Sequence, residues 1–226
     1  MPRSVPADPY DFPYDGDLKP ANTVVMVIDM QRDFCSEGGY FHAMGYDISP
    51  MSTAIAPIRA VLSAARATGF HVMHTRQGKR RDLSDLPAVA RYRSRLGGAE
   101  IGTLGPLGRF MIRGEPGFEI VPELAPEPGE PIVDKAGSGA FHGTDLDLLL
   151  FGRGVRNIVF TGITTDVCVH STIREATDRG YDCLLLEDCA AATVRANHLA
   201  AISMIKQEGG YFGTVSTSRA FIDAIA

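Results

Sequence analysis

Three side chains of this sequence have types and positions suited to nucleophilic chemistry. Asp29 follows the apolar run TVVMVI, Lys135 follows PIVD, and Cys168 follows NIVFTGITTDV. A cysteine at the point where a strand leads into a helix meets unpaired backbone N–H groups and the helix dipole, which both favour thiolate. Because a neighbouring lysine ammonium would lower the pKa further, we predict that Cys168 is a reactive nucleophile.

The chemistry that these residues suit is attack on an amide-like carbonyl carbon. Asp29 would take the thiol proton, deliver it to the departing nitrogen and then activate water against a thioester intermediate. Backbone amides of the tight GITTDVC turn could stabilise the developing oxyanion. Each residue alone also has a structural interpretation, as a turn cap (Asp29), a surface residue (Lys135) or a core thiol (Cys168). Their joint occurrence favours catalysis.

Short β-branched runs alternate with helical patterns along the chain and determine where these residues lie. The predicted strands are 23–28, 70–75, 131–134, 157–161, 182–186 and 211–215. The predicted helices are 51–68, 145–151, 166–179 and 195–208. Such alternation is typical of βαβ units and predicts a mostly parallel six-stranded sheet in a three-layer α/β/α sandwich. Ligands bind at the carboxyl ends of such strands, where Asp29, Lys135 and Cys168 should meet.

Two stretches lie outside this alternation. Residues 1–20, rich in Pro, Asp and Tyr, are predicted to form an extended arm, and residues 21–226 a single domain. The Gly- and Pro-rich stretch 77–130 is longer than an ordinary connection, and we expect it to be a lid or substrate loop. The alternative is a surface insertion that serves contacts between subunits.

Composition argues against several classes of protein. The chain has 226 residues, 45% of them hydrophobic, and a net charge of −5, which gives no reason to expect nucleic-acid binding. No apolar run approaches the ~18 residues that a membrane span needs, and the N-terminus lacks the apolar core of a signal peptide. The four cysteines follow no disulfide or paired CxxC spacing, so we expect free thiols in a cytoplasmic protein.

The segments DMQRDF, DKAGSGAF and GITTDVCV resemble the three signature segments of the isochorismatase-like cysteine hydrolases, and the likeness runs from about residue 20 to the C-terminus. The resemblance implies a Rossmann-like sheet with a catalytic triad of Asp29, Lys135 and Cys168. It also implies a cis peptide bond between Ile163 and Thr164, with oxyanion donors at the Thr164 and Cys168 amides. It further implies that the protein forms a homo-oligomer, a tetramer, and that the enzyme uses no cofactor.

Additional segments, among them HTRQGKRRDLSDLP, GEPGFEIVPEL and GGYFGTVS, resemble the ureide branch of this family. We expect a biuret or triuret amidohydrolase, with ureidoacrylate amidohydrolase as the alternative. The chain departs from the ureide enzymes by Gln77 in place of Glu and Glu208 in place of Gln. The Glu208 carboxylate would accept from N–H donors at the far end of a substrate, unless it is an exposed helix end. The predicted substrate-binding residues are Phe34, Phe41, Gln77 and Glu208.

Two other functions compete with this prediction. A nicotinamidase-type enzyme would share the triad but would normally carry an Asp/His metal cluster. His71 and His74 point to opposite faces of a strand, so we predict no metal site. A catalytically silent binding module on the same fold is disfavoured by the intact triad. The expected partner is a small ureide, with neither nucleic acid nor membrane as a ligand.

Overall fold

The computed structural model describes residues 3–226 and shows an α/β protein. Its strands are β1 (Thr23–Ile28), β2 (His71–Gln77), β3 (Leu104–Gly105), β4 (Gly108–Arg109), β5 (Ile132–Lys135), β6 (Asn157–Ile163), β7 (Asp182–Ala191) and β8 (Thr214–Ser216). Its helices are α1 (Arg32–Cys35), α2 (Tyr40–Ala43), α3 (Ser49–Ala67), α4 (Ala88–Leu96), α5 (Leu146–Gly152), α6 (His170–Thr177), α7 (Arg195–Gly210) and α8 (Ser218–Ile225). Within residues 3–226, none of the helices combines the length and apolar character needed to cross a bilayer.

Six strands form one sheet in the order β5-β2-β1-β6-β7-β8, and every pairing in it is parallel. Strands β3 and β4 form a separate antiparallel hairpin. The predicted six-stranded, mostly parallel sheet is therefore confirmed. From β1 the sheet continues through β2 and β5 on one side, and from β6 through β7 and β8 on the other. The strand order therefore reverses between β1 and β6. In sheets of this kind, ligands bind in the crevice at the carboxyl ends of the strands where the order reverses.

The core has two parts, one on each face of the sheet. Along β1, Val25 and Val27 belong to the core that contains α3 and α8. Val24, Met26 and Ile28 belong to the core that contains α5, α6 and α7. Alternate residues of a strand point to opposite faces, so a strand covered on both sides reads as a continuous apolar run. The three-layer α/β/α sandwich is therefore confirmed.

Several strand ends differ from the predicted ones. Strands β2, β6 and β7 continue past their predicted ends, and β8 begins at Thr214 rather than Tyr211. Gly213 has a φ of +132°, and a Cβ on it would lie 2.3 Å from the carbonyl oxygen of Cys183. The backbone turns at this glycine against β7, and pairing with β7 starts only at the next residue.

The N-terminal segment is not an extended arm over residues 3–20; residues 1 and 2 of the predicted arm lie outside the described part. Val5 and Phe12 pair with each other through two backbone hydrogen bonds and are completely buried. Asp8 pairs in the same way with Val215 of β8. The apolar side chains of the segment find a core on the same chain, which explains why it folds back.

The stretch 77–130 contains local structure that the sequence patterns did not predict. It carries α4, the β3–β4 hairpin and two 3₁₀ turns, Pro116–Phe118 and Pro122–Leu124. One backbone bridge joins Lys79 to Ile112, both within the stretch. A second bridge joins Ile120 of the stretch to Gln31, which lies outside it. Because these bridges attach the stretch next to the ends of β1 and β2, it covers the edge of the sheet where the predicted site lies.

Candidate active site

Asp29, Lys135 and Cys168 lie together where β1, β5 and β6 end. Nζ of Lys135 lies 2.7 Å from Oδ2 of Asp29, and both side chains are completely buried. Cys168 belongs to a π-helical turn, Thr165–Val169, that connects β6 to α6, and it is 6% exposed. The three residues form one cluster at the crevice between β1 and β6.

Gln77, the last residue of β2, completes this cluster. Its Oε1 accepts a hydrogen bond from Sγ of Cys168 at 3.0 Å and one from Nζ of Lys135 at 3.3 Å. Gln77 and Lys135 are register partners in the parallel β2–β5 pair, so their side chains share a face of the sheet. The amide oxygen of Gln77 therefore joins the thiol to the ammonium group.

Asp29 is held in place by Thr75, which lies two residues before Gln77 and faces the same side of β2. The Thr75 hydroxyl donates to Oδ1 of Asp29 at 2.6 Å, and the Asp29 amide donates to the Thr75 carbonyl oxygen at 3.2 Å. Oδ2 receives no directed hydrogen bond from any residue between 3 and 226. It lies 2.7 Å from Nζ of Lys135, and its remaining lone pair is the one that can accept a proton from the thiol.

The ammonium group of Lys135 has fixed partners. It donates to the carbonyl oxygens of Gly137 and Ser138, both at 2.9 Å, and to Gln77. These bonds use its three N–H groups, so its contact with Asp29 is electrostatic rather than a further directed hydrogen bond. Burial lowers the pKa of Lys135, but the attraction of the Asp29 carboxylate opposes this effect, and the pKa lies above its usual value. Lys135 is therefore a cation.

The thiol of Cys168 differs from the sequence-based prediction. Burial raises its pKa to about 12, and the Asp29 carboxylate adds to this effect while the Lys135 ammonium opposes it. The N–H groups of Val167 and Val169 both donate to the Thr164 carbonyl oxygen, so they do not point at the sulfur. The prediction of a lowered pKa is wrong because burial outweighs the helix start and the lysine. Cys168 is a protonated thiol and needs a base to react.

A cavity of about 210 Å³ opens onto Cys168. Most of its wall is apolar and is formed by Phe34, Tyr40, Phe41, Ile101, Met111 and Val167. Polar side chains also line it, namely those of Gln77, Thr164 and Cys168, and Tyr40 carries a hydroxyl group; no charged side chain of residues 3–226 is in the lining. Such a cavity suits a small molecule with a few polar atoms at the end next to the thiol.

Two of the predicted substrate-binding residues lie in this wall. The rings of Phe34 and Phe41 are 4.7 Å apart between centroids and inclined by 49°. Both rings line the cavity, with Phe34 buried and Phe41 partly buried. The pair offers apolar ring surface to a planar ligand, as well as packing on each other.

The chain reaches the thiol through an unusual backbone path. Gly162 has a φ of +103°, and a Cβ on it would lie 2.1 Å from the carbonyl oxygen of Ile28, so only glycine lets β6 approach β1 this closely. The peptide bond between Ile163 and Thr164 is cis, at the place implied by the resemblance. Both residues line the cavity next to Cys168.

Glu208 does not lie near the thiol of its own chain, and its role in substrate binding stays a prediction. Helix α7 starts beyond the carboxyl end of β7 and runs back to the amino edge of the sheet, a path of about 18 Å over twelve helical residues. Gln207, Glu208 and Gly209 leave the helical conformation, and the Glu208 side chain is exposed. A residue just before a parallel strand lies at the edge opposite to the site, which the sequence argument overlooked.

Gln31 is a buried site residue that the sequence analysis missed. Its Oε1 accepts from the Gln77 amide at 2.6 Å, and its Nε2 donates to the carbonyl oxygens of Gln77 and Phe118 at 3.1 and 2.9 Å. The side chain thus pairs with the end of β2 as a neighbouring strand would. The available signal was its place in DMQRDF, two residues after Asp29.

Asp33, from the same segment, supports the cavity wall. Its Oδ2 accepts from the Met111 amide at 2.8 Å, and the carboxylate also accepts from the Tyr40 amide. Burial raises the pKa of Asp33 to about 6, although these two N–H groups act in the opposite direction. Asp33 therefore fixes two lining residues that belong to separate segments.

The two histidines of β2 have different surroundings. His74 is completely buried, and its Nε2 lies 3.2 Å from a carboxylate oxygen of Glu130, whereas His71 is partly exposed. Across residues 3–226, no three His, Cys, Asp or Glu side chains come together as a group that could hold a metal ion.

The chain matches the family described as the isochorismatase domain over residues 23–219. It is 35% identical to the ureidoacrylate amidohydrolase RutB of Agrobacterium fabrum, covering 92% of each chain. It is 34% identical to the ureidoacrylate amidohydrolase RutB of Pantoea ananatis, covering 91% of this chain and 83% of that one. Among solved structures, a cysteine hydrolase from Pseudomonas syringae pv. phaseolicola is 30% identical, with a TM-score of 0.78 and coverage of 92% and 94%.

Proposed function

The chain belongs to the isochorismatase family of hydrolases, and from this membership we propose that it is a cysteine-dependent amidohydrolase of a small linear ureide. The observation that carries the proposal is the buried cluster of Asp29, Lys135, Gln77 and Cys168 next to a small cavity. The cluster supports the proposal because it holds a thiol, a carboxylate and a fixed cation together, with the thiol facing the cavity.

In the first step, Asp29 takes the proton of the Cys168 thiol on Oδ2 while Sγ attacks the carbonyl carbon of the carbamoyl group. The Lys135 ammonium stabilises the thiolate as it forms. The bond from the carbonyl carbon to the leaving nitrogen then breaks, and that nitrogen takes the proton back from Asp29. The product of this step is a carbamoyl group bound to Sγ as a thioester.

In the second step, water attacks the thioester carbon and gives one proton to Asp29. The bond from carbon to Sγ breaks, the proton on Asp29 returns to the sulfur, and carbamic acid leaves and loses its own proton to solvent as carbamate. The amides of Thr164 and Cys168 are the proposed donors to the oxyanion in both steps. Their position supports this role, because Thr164 and Cys168 both line the cavity.

We place ureidoacrylate first among the substrates, since the two enzymes named for it share about a third of their residues with this chain over most of its length. The sequence argument for triuret depended on Glu208, which lies at the opposite edge of the sheet. An uncharged ureide such as biuret is the second candidate. The observation in its favour is that no charged side chain of the described residues lines the cavity.

The test is ammonia and carbamate release by the purified protein from ureidoacrylate, biuret, triuret and nicotinamide. We expect turnover of ureidoacrylate, little or none of nicotinamide, and loss of activity in Cys168→Ser. Melting temperatures of both proteins serve as the control for folding. Turnover of biuret or triuret in preference to ureidoacrylate would favour the second candidate. Failure to hydrolyse any ureide, or full activity of Cys168→Ser, would contradict the proposal.

A further inference from the structure

The Tyr40 hydroxyl is a polar group in the apolar part of the cavity wall. Tyr40 is the first residue of α2 and is 7% exposed. Its ring lies 6.2 Å from that of Phe41 and 5.9 Å from that of Phe110, measured between centroids. Two other polar residues of the lining, Gln77 and Thr164, lie at the ends of β2 and β6, from which the chain surrounds the thiol. The Tyr40 hydroxyl therefore comes from a different segment of the wall.

This hydroxyl has no hydrogen-bond partner on its own chain. The backbone N–H of Tyr40 donates to the Asp33 carboxylate, but no group of residues 3–226 pairs with the side-chain oxygen. A tyrosine that is buried to this extent usually has a partner for its hydroxyl. The hydroxyl is nevertheless open to a ligand, since it is not one of the unpaired polar atoms that are sealed from solvent.

The hydroxyl keeps its proton and can act as a donor. Burial raises the pKa of Tyr40 to about 12, and the charges of Asp33 and Tyr46 act in the same direction. A hydrogen bond from a neutral donor to a carboxylate is stronger than one to an uncharged acceptor. The hydroxyl can therefore hold an anionic group in a cavity that has no charged side chain of residues 3–226 in its lining.

We propose that Tyr40 is a substrate-binding residue whose hydroxyl donates to a carboxylate at the far end of the leaving part of the ureide. This inference rests on the proposed ureide hydrolysis and names the group that selects acidic ureides. The carboxylate of ureidoacrylate lies only a few bonds from the carbon that Sγ of Cys168 attacks. A bound molecule can thus extend from the thiol into the apolar part of the wall, where Tyr40 supplies the donor.

The test is Tyr40→Phe, which removes the hydroxyl and keeps the ring. In a Cys168→Ser background, the variant is titrated calorimetrically with ureidoacrylate and with N-propylurea, whose chain ends in a methyl group instead of a carboxylate. We expect the affinity for ureidoacrylate to fall by about tenfold or more, and that for propylurea to change by less than about twofold, because only the carboxylate loses a hydrogen bond. Tyr46→Phe is the matched control and should alter neither affinity, since Tyr46 also packs on Phe41 but is not in the lining.

Steady-state kinetics with Cys168 intact separate substrate binding from packing. Tyr40→Phe should raise KM for ureidoacrylate by about tenfold and leave kcat within about threefold, because the hydroxyl binds substrate and transition state alike. A fall in kcat with an unchanged KM would contradict the assignment. Melting temperatures show whether each variant is folded.

The binding measurements can also overturn the assignment independently of turnover. An equal loss of affinity for the two ligands, no loss for ureidoacrylate, or no binding of ureidoacrylate by the Cys168→Ser parent would do so. Ammonia release by the wild-type protein tests the proposed hydrolysis separately. If the wild-type protein does not hydrolyse ureidoacrylate but Tyr40→Phe selectively weakens its binding, the hydrolysis is wrong and the role of Tyr40 stands.

Discussion

Nζ of Lys135 and Oδ2 of Asp29 lie 2.7 Å apart in a completely buried ion pair. Removing two charges from water is unfavourable unless other groups satisfy them. Here Thr75 donates to the carboxylate, while Gly137 and Ser138 accept from the ammonium group. The pair is therefore supported on both sides, and the removal of one partner should be felt in stability as well as in activity.

Lys135→Met should lower both stability and turnover. It leaves the Asp29 carboxylate buried without its cation, which costs about 3–5 kcal/mol of unfolding free energy. Loss of the cation that stabilises the thiolate should reduce kcat by about 100-fold or more. Urea unfolding and steady-state kinetics measure the two effects. In Asp29→Asn/Lys135→Met the loss of stability should be smaller than in Lys135→Met, and a strictly additive loss would contradict the ion pair.

Gln31→Leu tests whether the position of Gln77 matters for turnover. The substitution removes three hydrogen bonds from a fully buried side chain and should lower the unfolding free energy by about 2–3 kcal/mol. Because the end of β2 would no longer be fixed, we expect kcat to fall by roughly 10–100-fold. Kinetics below the melting temperature measure this effect, and an unchanged kcat would show that Gln31 has only a structural role.

The alkylation of Cys168 by iodoacetamide should report a raised pKa. Since only thiolate reacts, the rate should increase by about tenfold per pH unit from pH 7 to pH 10. Mass spectrometry of the modified peptide identifies the site, and Cys168→Ser is the control because all four cysteines are free, buried thiols. A rate that is already constant between pH 6 and pH 8 would mean that the thiolate is stabilised after all.

Asp33→Asn should reveal a pH-dependent contribution to stability. The pKa of Asp33 in the folded protein, about 6, lies above the unfolded value of about 3.9, so folding favours the protonated form. Its contribution is therefore complete below about pH 4 and is lost as the pH rises through 6. Relative to Asp33→Asn, the wild-type protein should lose roughly 3 kcal/mol between about pH 4 and pH 8. Urea unfolding of both proteins measures the difference, and a difference independent of pH would contradict the prediction.

The sheet and the location of the site could be predicted because both depend on strong, local patterns. A run such as Thr23–Ile28 is apolar at every position, as a strand covered on both faces requires. Parallel strands place their carboxyl ends at one edge, so Asp29, Lys135 and Cys168 had to lie near one another. The same rule, applied to Glu208, would have placed it at the other edge.

Other features depend on contacts between distant segments and leave little trace in sequence. Residues 77–130 form short elements with weak periodicity, and Val5 and Phe12 are buried by a return of the chain that the Pro-rich composition does not suggest. The raised pKa of Cys168 reflects burial, which a helix-start argument ignores. The orientation of the Gln77 amide depends on Lys135, 58 residues away.

The most direct test of the account is to quench the protein during turnover of ureidoacrylate and locate any covalent carbamoyl group by mass spectrometry. We expect the group on Cys168 in the wild-type protein, and none on Cys168 in Asp29→Asn, where no base takes the thiol proton. Steady release of carbamate from the wild-type protein together with a carbamoyl group on a different residue, or undiminished release by Cys168→Ser, would contradict the role of Cys168 as the nucleophile.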